Sequence, residues 1–77
     1  MENFFEWLFE QYQKDKIEIH ILFNGVDYDR NFYYNTHTKV LTADSATSST
    51  NAFGSEGKTF ADYVNSGDIQ MKLIFKK

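Results

Sequence analysis

Cysteine and proline are absent from these 77 residues, arginine occurs once, and no long apolar run is present. Without cysteine there is no disulfide and no thiolate metal site, a pattern that fits an intracellular, cytoplasmic protein. A membrane-spanning helix needs about 20 consecutive apolar residues, so none is expected. Glu2, Glu6 and Glu10 stand where a secretory signal carries Lys or Arg, and a mitochondrial presequence avoids acids, so no targeting segment is expected either. Eleven acids against eight bases leave a net charge of −3. That balance lacks the basic excess that neutralises phosphates, so neither nucleic acid nor a membrane is an expected partner.

Aromatic residues are plentiful: 14 of 77. Size scaling gives a 9.1 kDa chain room for one domain that buries roughly 8,000 Å² on folding, about 60% of its unfolded surface. The aromatic side chains must supply that core, each burying about 150–250 Å². Phe, Tyr, Ile, Asn and Lys together make up 31 of the 77 residues. This usage favours AT-rich codons and points to a low-GC bacterium or one of its phages or plasmids.

Residues 1–14 are expected to form a helix, because Phe4, Phe5, Leu8, Phe9 and Tyr12 fall within about 140° at about 100° per residue. Asn3 or the chain terminus caps it, and its acids suit the positive end of the helix dipole. Trp7 lies about 60° outside the apolar arc, either at the margin of the core or as an anchor for a partner.

From Lys16 the period changes to two. Ile17, Ile19, Ile21 and Phe23 alternate with Glu18, His20 and Leu22, a strand with one apolar face. Asn24-Gly25 follows, the pair that a type I′ hairpin turn requires. A two-residue loop pairs Phe23 with Val26, Ile21 with Tyr28, Ile19 with Arg30 and Ile17 with Phe32, and sets His20 opposite Asp29. Arg30 falls on the apolar side, which predicts a bulge or an edge position. A second reversal at Asn35–Thr38 leads to a third strand with Leu41 on the core face and Val40 beside Tyr33, completing a meander over 16–43.

Residues 44–58 hold six Ser or Thr and two Gly with no period, and read as a loop that is either flexible or adaptive in binding. Its one large apolar residue, Phe53, either pins the loop to the core or is offered to a partner. Thr59-Phe60-Ala61-Asp62 has the form of a capping box and opens a short helix over 59–66, with Gly67 as its C-terminal cap. The chain ends in a strand over 68–76 with Ile69, Met71, Leu73 and Phe75 inward. The expected fold is α+β in the order αβββαβ, a mainly antiparallel four-stranded sheet with both helices on one face.

No catalytic set emerges. The dinucleotide, phosphate-loop and nucleophile-elbow motifs are missing, and His20 and His37, separated by 16 residues, do not match a metal-ligand spacing. His20 and Asp29 form an acid–base couple in outline, but no nucleophile or oxyanion donor accompanies them, so they read as a cross-strand surface pair. No enzymatic activity, cofactor or metal is expected.

Binding features say more. Leu22, Tyr33, Val40 and Ile74 mingle on the sheet's polar face with Glu18, His20, Asp29, Gln70 and Lys72, a face neither cleanly solvated nor cleanly core. The 44–58 loop, the first helix, a second copy or a foreign partner would cover it. Phe32-Tyr33-Tyr34 invites comparison with base-stacking sheets, but alternation exposes only Tyr33 and no basic groove accompanies it. Conversely, Glu18, Asp27 and Asp29, with the acids of the first helix, present spaced negative charge. In size and charge alone the chain resembles the small acidic proteins with which mobile elements inhibit host DNA-processing enzymes. The expected function is a non-enzymatic module that binds a host protein, with a homodimer as alternative and single-stranded nucleic-acid binding third. The candidate binding residues are Trp7, Glu18, His20, Asp29, Tyr33 and Phe53.

Overall fold

A computed structural model describes residues 2–55 and 57–77, without the side chains of Glu2 and Asn3. The Asn3 cap and the Glu2 charge therefore lie outside the described residues, as does Glu56.

The elements are α1 (Glu2–Gln13), β1 (Ile17–Phe23), β2 (Val26–Tyr34), β3 (Leu41–Ser45), β4 (Asn51–Phe53), α2 (Phe60–Ser66) and β5 (Gln70–Phe75). They form a single small α+β domain with an antiparallel five-stranded sheet in the order β4-β3-β2-β1-β5. The expectation of four strands is corrected by β4, which lies inside the stretch 44–58 expected to be a loop. Three residues are too few for an alternating signal among Ser and Thr. Phe53 is nonetheless fully buried opposite Leu41, and what lies outside the strands in this stretch is the 46–50 hairpin and the connection that leaves β4 at Gly54.

α1 ends in a Schellman closure: Lys16 N–H donates to Gln11 C=O (3.0 Å) and Asp15 N–H to Tyr12 C=O (3.0 Å), with Asp15 at φ 60°. The chain reverses there into β1. At the next turn Asn24 (φ 51°) and Gly25 (φ 77°) take the type I′ geometry, and Phe23↔Val26, Leu22↔Asp27 and Ile21↔Tyr28 pair in the expected two-residue register. The β1–β2 pairing stops there, so Ile19 and Ile17 do not meet Arg30 and Phe32. They pair with Leu73 and Phe75 of β5.

The reason is the expected bulge. Register shifts flank Arg30 in the β2–β3 ladder, and Asn31 stands at φ 56°. α1 serves the backbone that β2 thereby frees: Asn31 N–H donates to Tyr12 Oη (3.1 Å), and Phe32 C=O accepts from Gln13 Nε2 (3.4 Å).

Both helices pack on one face of the sheet. Under α1, Phe9 stacks on Tyr34 (5.5 Å) and meets Phe60 of α2 edge-on (5.8 Å), while Tyr12 meets Phe32 edge-on (5.1 Å). A second cluster joins Phe53 to Phe23 (5.5 Å), Tyr28 (5.3 Å) and Tyr63 of α2 (5.9 Å). Ile17, Ile19, Ile21, Leu8, Leu41 and Ala43 fill the space between.

The capping box at α2 forms as expected: Thr59 N–H donates to Asp62 Oδ2 (2.8 Å) and Asp62 N–H to Thr59 Oγ1. Gly67, at φ 80°, closes the other end. Two inward assignments are corrected. Phe4 lies at the edge of the helical arc and is exposed, tilted against Trp7 at 6.0 Å. Phe75, at the end of an edge strand, is 61% exposed. Among the described residues no helix is long and apolar enough to cross a membrane.

Candidate functional site: the outer face of the sheet

With both helices on one side, strand alternation sends Glu18, His20 and Leu22 of β1, Asp27, Asp29 and Tyr33 of β2, Thr42 and Asp44 of β3, and Gln70, Lys72 and Ile74 of β5 to the other. Leu22, Tyr33 and Ile74 are exposed there.

His20 Nδ1 lies 3.0 Å from Oδ2 of Asp27, its diagonal neighbour. The expected His20–Asp29 couple is thus replaced by His20–Asp27. Asp29 is taken by its neighbour: Arg30 Nε donates to Oδ1 (2.9 Å) and Nη2 to Oδ2 (3.2 Å). The Arg30 guanidinium holds the Asp29 carboxyl below the ordinary range, and the same pairing raises Arg30.

Ligand atoms of His20, Asp27 and Asp29 come within 4.8 Å of one another. Both Asp29 oxygens are occupied by Arg30, whose charge already balances that carboxylate. Beside His20 runs an open groove of about 540 Å³, lined by Leu22, Asp27, Gln70, Met71 and Lys72, with no hydroxyl or thiol among them.

Tyr33, cross-strand from Thr42, has the other end of the face. It also borders a groove of about 470 Å³ between α1 and β2, whose walls include Glu6, Phe9, Glu10 and Gln13. The acids of α1 and the sheet's apolar positions therefore meet at Tyr33.

Asp44 clamps the bulge: it accepts from Asn31 Nδ2 (2.9 Å) and from the Thr50 hydroxyl. The Thr50 bond, then the Asn31 bond, hold its carboxyl below the ordinary range. For both Asp29 and Asp44 the folded value lies below the unfolded one. Their stabilisation is therefore present above about pH 3.9 and is lost as pH falls through the folded values. Thermal melts between pH 5 and pH 2 are expected to show a stability loss that Asp29→Asn with Asp44→Asn flattens. An unchanged pH profile in that double variant would refute the clamp.

Of the six residues singled out in the sequence, Glu18, His20, Asp29 and Tyr33 share the outer face. Trp7 lies on α1 in the helix layer, 46% exposed beside Phe4 and apart from that face. Phe53 is not offered to a partner, because it is fully buried. Val40 is half-buried and packs on Gly54, where an added Cβ would come within 2.9 Å of Val40 Cγ2. Asp27 and Lys72 were missing as site residues, although the Asn24-Gly25 register already places Asp27 one step diagonally from His20. No protein-family model, no curated protein and no solved structure matches this chain.

Proposed function

We propose that this protein is a non-enzymatic module that works by covering a surface of another protein with the outer face of its sheet. One observation carries the reading: Leu22 and Tyr33 stand exposed among Glu18, Asp27 and Asp29 on a face that neither helix covers. Exposed aromatic and apolar anchors within a charged surround are the usual anatomy of a binding patch. The acidity of the face favours a partner with a basic surface, and the AT-rich residue usage favours a mobile-element protein acting on a host enzyme that grips DNA. Of Phe32, Tyr33 and Tyr34 only Tyr33 is exposed, and the groove beside it carries Glu6 and Glu10 and no Lys or Arg, which disfavours base stacking.

Affinity capture from the native host tests this with wild type beside Leu22→Ser/Tyr33→Ala. Loss of an aromatic anchor costs about 2 kcal/mol or more, so the double variant is expected to recover at least roughly thirtyfold less of the partner. Trp7→Ala is expected to recover it unchanged. Equal recovery by the double variant, or recovery of nucleic acid alone that salt removes, would refute the reading. Light scattering that shows a dimer dissolved by Tyr33→Ala would assign the face to a second copy instead.

A further inference from the structure

The two edges of the sheet differ. β4 is three residues long and runs into Gly54, at φ 131°, a short edge that offers little to pair with. β5 runs six residues in unbroken register with β1, from Ile17↔Phe75 to Leu22↔Gln70.

Beyond that register, Lys76 N–H donates to Lys16 C=O at 3.0 Å. Antiparallel alternation then makes Glu18/Ile74, His20/Lys72 and Leu22/Gln70 the bonded pairs. The N–H and C=O groups of Met71, Leu73 and Phe75 consequently point away from β1, along the open edge.

Side chains add to this. Met71 and Leu73 are half-buried and Phe75 is exposed, a row of apolar positions on the helix side. Lys72, Ile74 and Lys76 alternate on the outer side. Residues 72–77 hold three lysines and no acid in a chain of net charge −3. Lys76 is paired with the exposed Asp15, whereas Lys72 and Lys77 have no ion pair among the described residues.

We infer that the β5 edge accepts an extended acidic segment of a partner protein as a sixth strand. Its apolar residues would face Met71, Leu73 and Phe75, and its acidic residues Lys72 and Lys76. Main-chain bonds supply the adhesion in such strand addition, and alternate side chains supply the choice. The lysines also decide against a second copy, because pairing β5 with itself brings the uncompensated Lys72 and Lys77 of both copies, four like charges, along one seam. This edge borders the outer face at the groove that Leu22 shares with Met71 and Lys72, and lies apart from Tyr33, two strands away on β2.

The probe is the acetylated, amidated peptide Val-Glu-Val-Glu-Leu-Glu-Val, beside the same peptide with Lys for Glu, titrated into the labelled full chain. Amide exchange of Met71, Leu73 and Phe75 is expected to slow at least about tenfold near saturation with the acidic peptide. The basic peptide is expected to bind at least about tenfold more weakly, and Lys72→Glu to weaken the acidic one by a similar factor. Lys72 is exposed, and the amide spectrum of Lys72→Glu checks that its sheet is intact. Tyr33→Ala alone, with β1 lying between its strand and β5, is expected to bind the peptide unchanged, so this edge and the Tyr33 anchor of the outer-face patch succeed or fail separately. No saturation by about 1 mM peptide, equal binding of both peptides, or perturbation centred on Tyr33 would overturn the proposal. Protection of the same three amides without peptide, rising with protein concentration, would overturn it in favour of a second copy.

Discussion

Replacing Phe53 by Ala is expected to lower the unfolding free energy by about 3–5 kcal/mol, the cost of emptying a buried phenylalanine site. Phe53 is fully buried, and its ring meets Phe23, Tyr28 and Tyr63 nearly edge-on, so its loss opens a cavity where β1, β2, β4 and α2 converge. A 77-residue domain has roughly 4–12 kcal/mol in total, so the loss takes from about a quarter to all of the stability. At about 4–8 °C per kcal/mol, the midpoint of thermal unfolding is expected to fall by about 12–40 °C. The control is Ala52→Ser, one residue earlier and exposed, which is expected to stay within about 0.5 kcal/mol. A melting curve for Phe53→Ala that overlays the wild type would mean that residues 51–53 are not docked as a strand.

The second large effect lies at Ile21. It is fully buried and sits between Tyr28 of β2 and Met71 of β5, on the stretch of β1 that pairs on both sides. Ile21→Ala is expected to cost about 2–5 kcal/mol by urea unfolding. Leu22→Ala, one position along and on the outer face, is expected to cost less than about 0.5 kcal/mol, because that side chain is already 42% exposed. The contrast tests the register itself, since a one-residue slip of β1 would exchange the two outcomes.

Wherever a local pattern ran long enough to repeat, it was legible in the amino acids. The 3.6-residue spacing of Phe5, Leu8, Phe9 and Tyr12, the alternation of Ile17 to Phe23, Asn24-Gly25 and the capping box of Thr59 and Asp62 each appear in place. These signals arise within a few residues, because helix periodicity, strand pleat and turn dihedrals are local. Even the misfit of Arg30 announced the bulge in β2. β4 left no such trace: three residues give alternation no room, and what holds them is Leu41 across the ladder and the rings around Phe53.

The outer face was legible as a list and illegible as an arrangement. Alternation alone assigns Glu18, His20, Asp29 and Tyr33 to it. The pairing of His20 with Asp27 was settled when Arg30 captured both oxygens of Asp29, a contest between side chains that register does not record. The sequence by itself determined which residues form helices and long strands and which of their faces are apolar, because those properties follow from spacing along the chain. The tertiary structure alone decided the strand order, the burial of Phe53, the exposure of Phe75 and the position of β5 on an open edge. Each of these depends on which distant segment arrives alongside, and that contact is chosen by burying the largest shared apolar surface rather than by any neighbour in sequence.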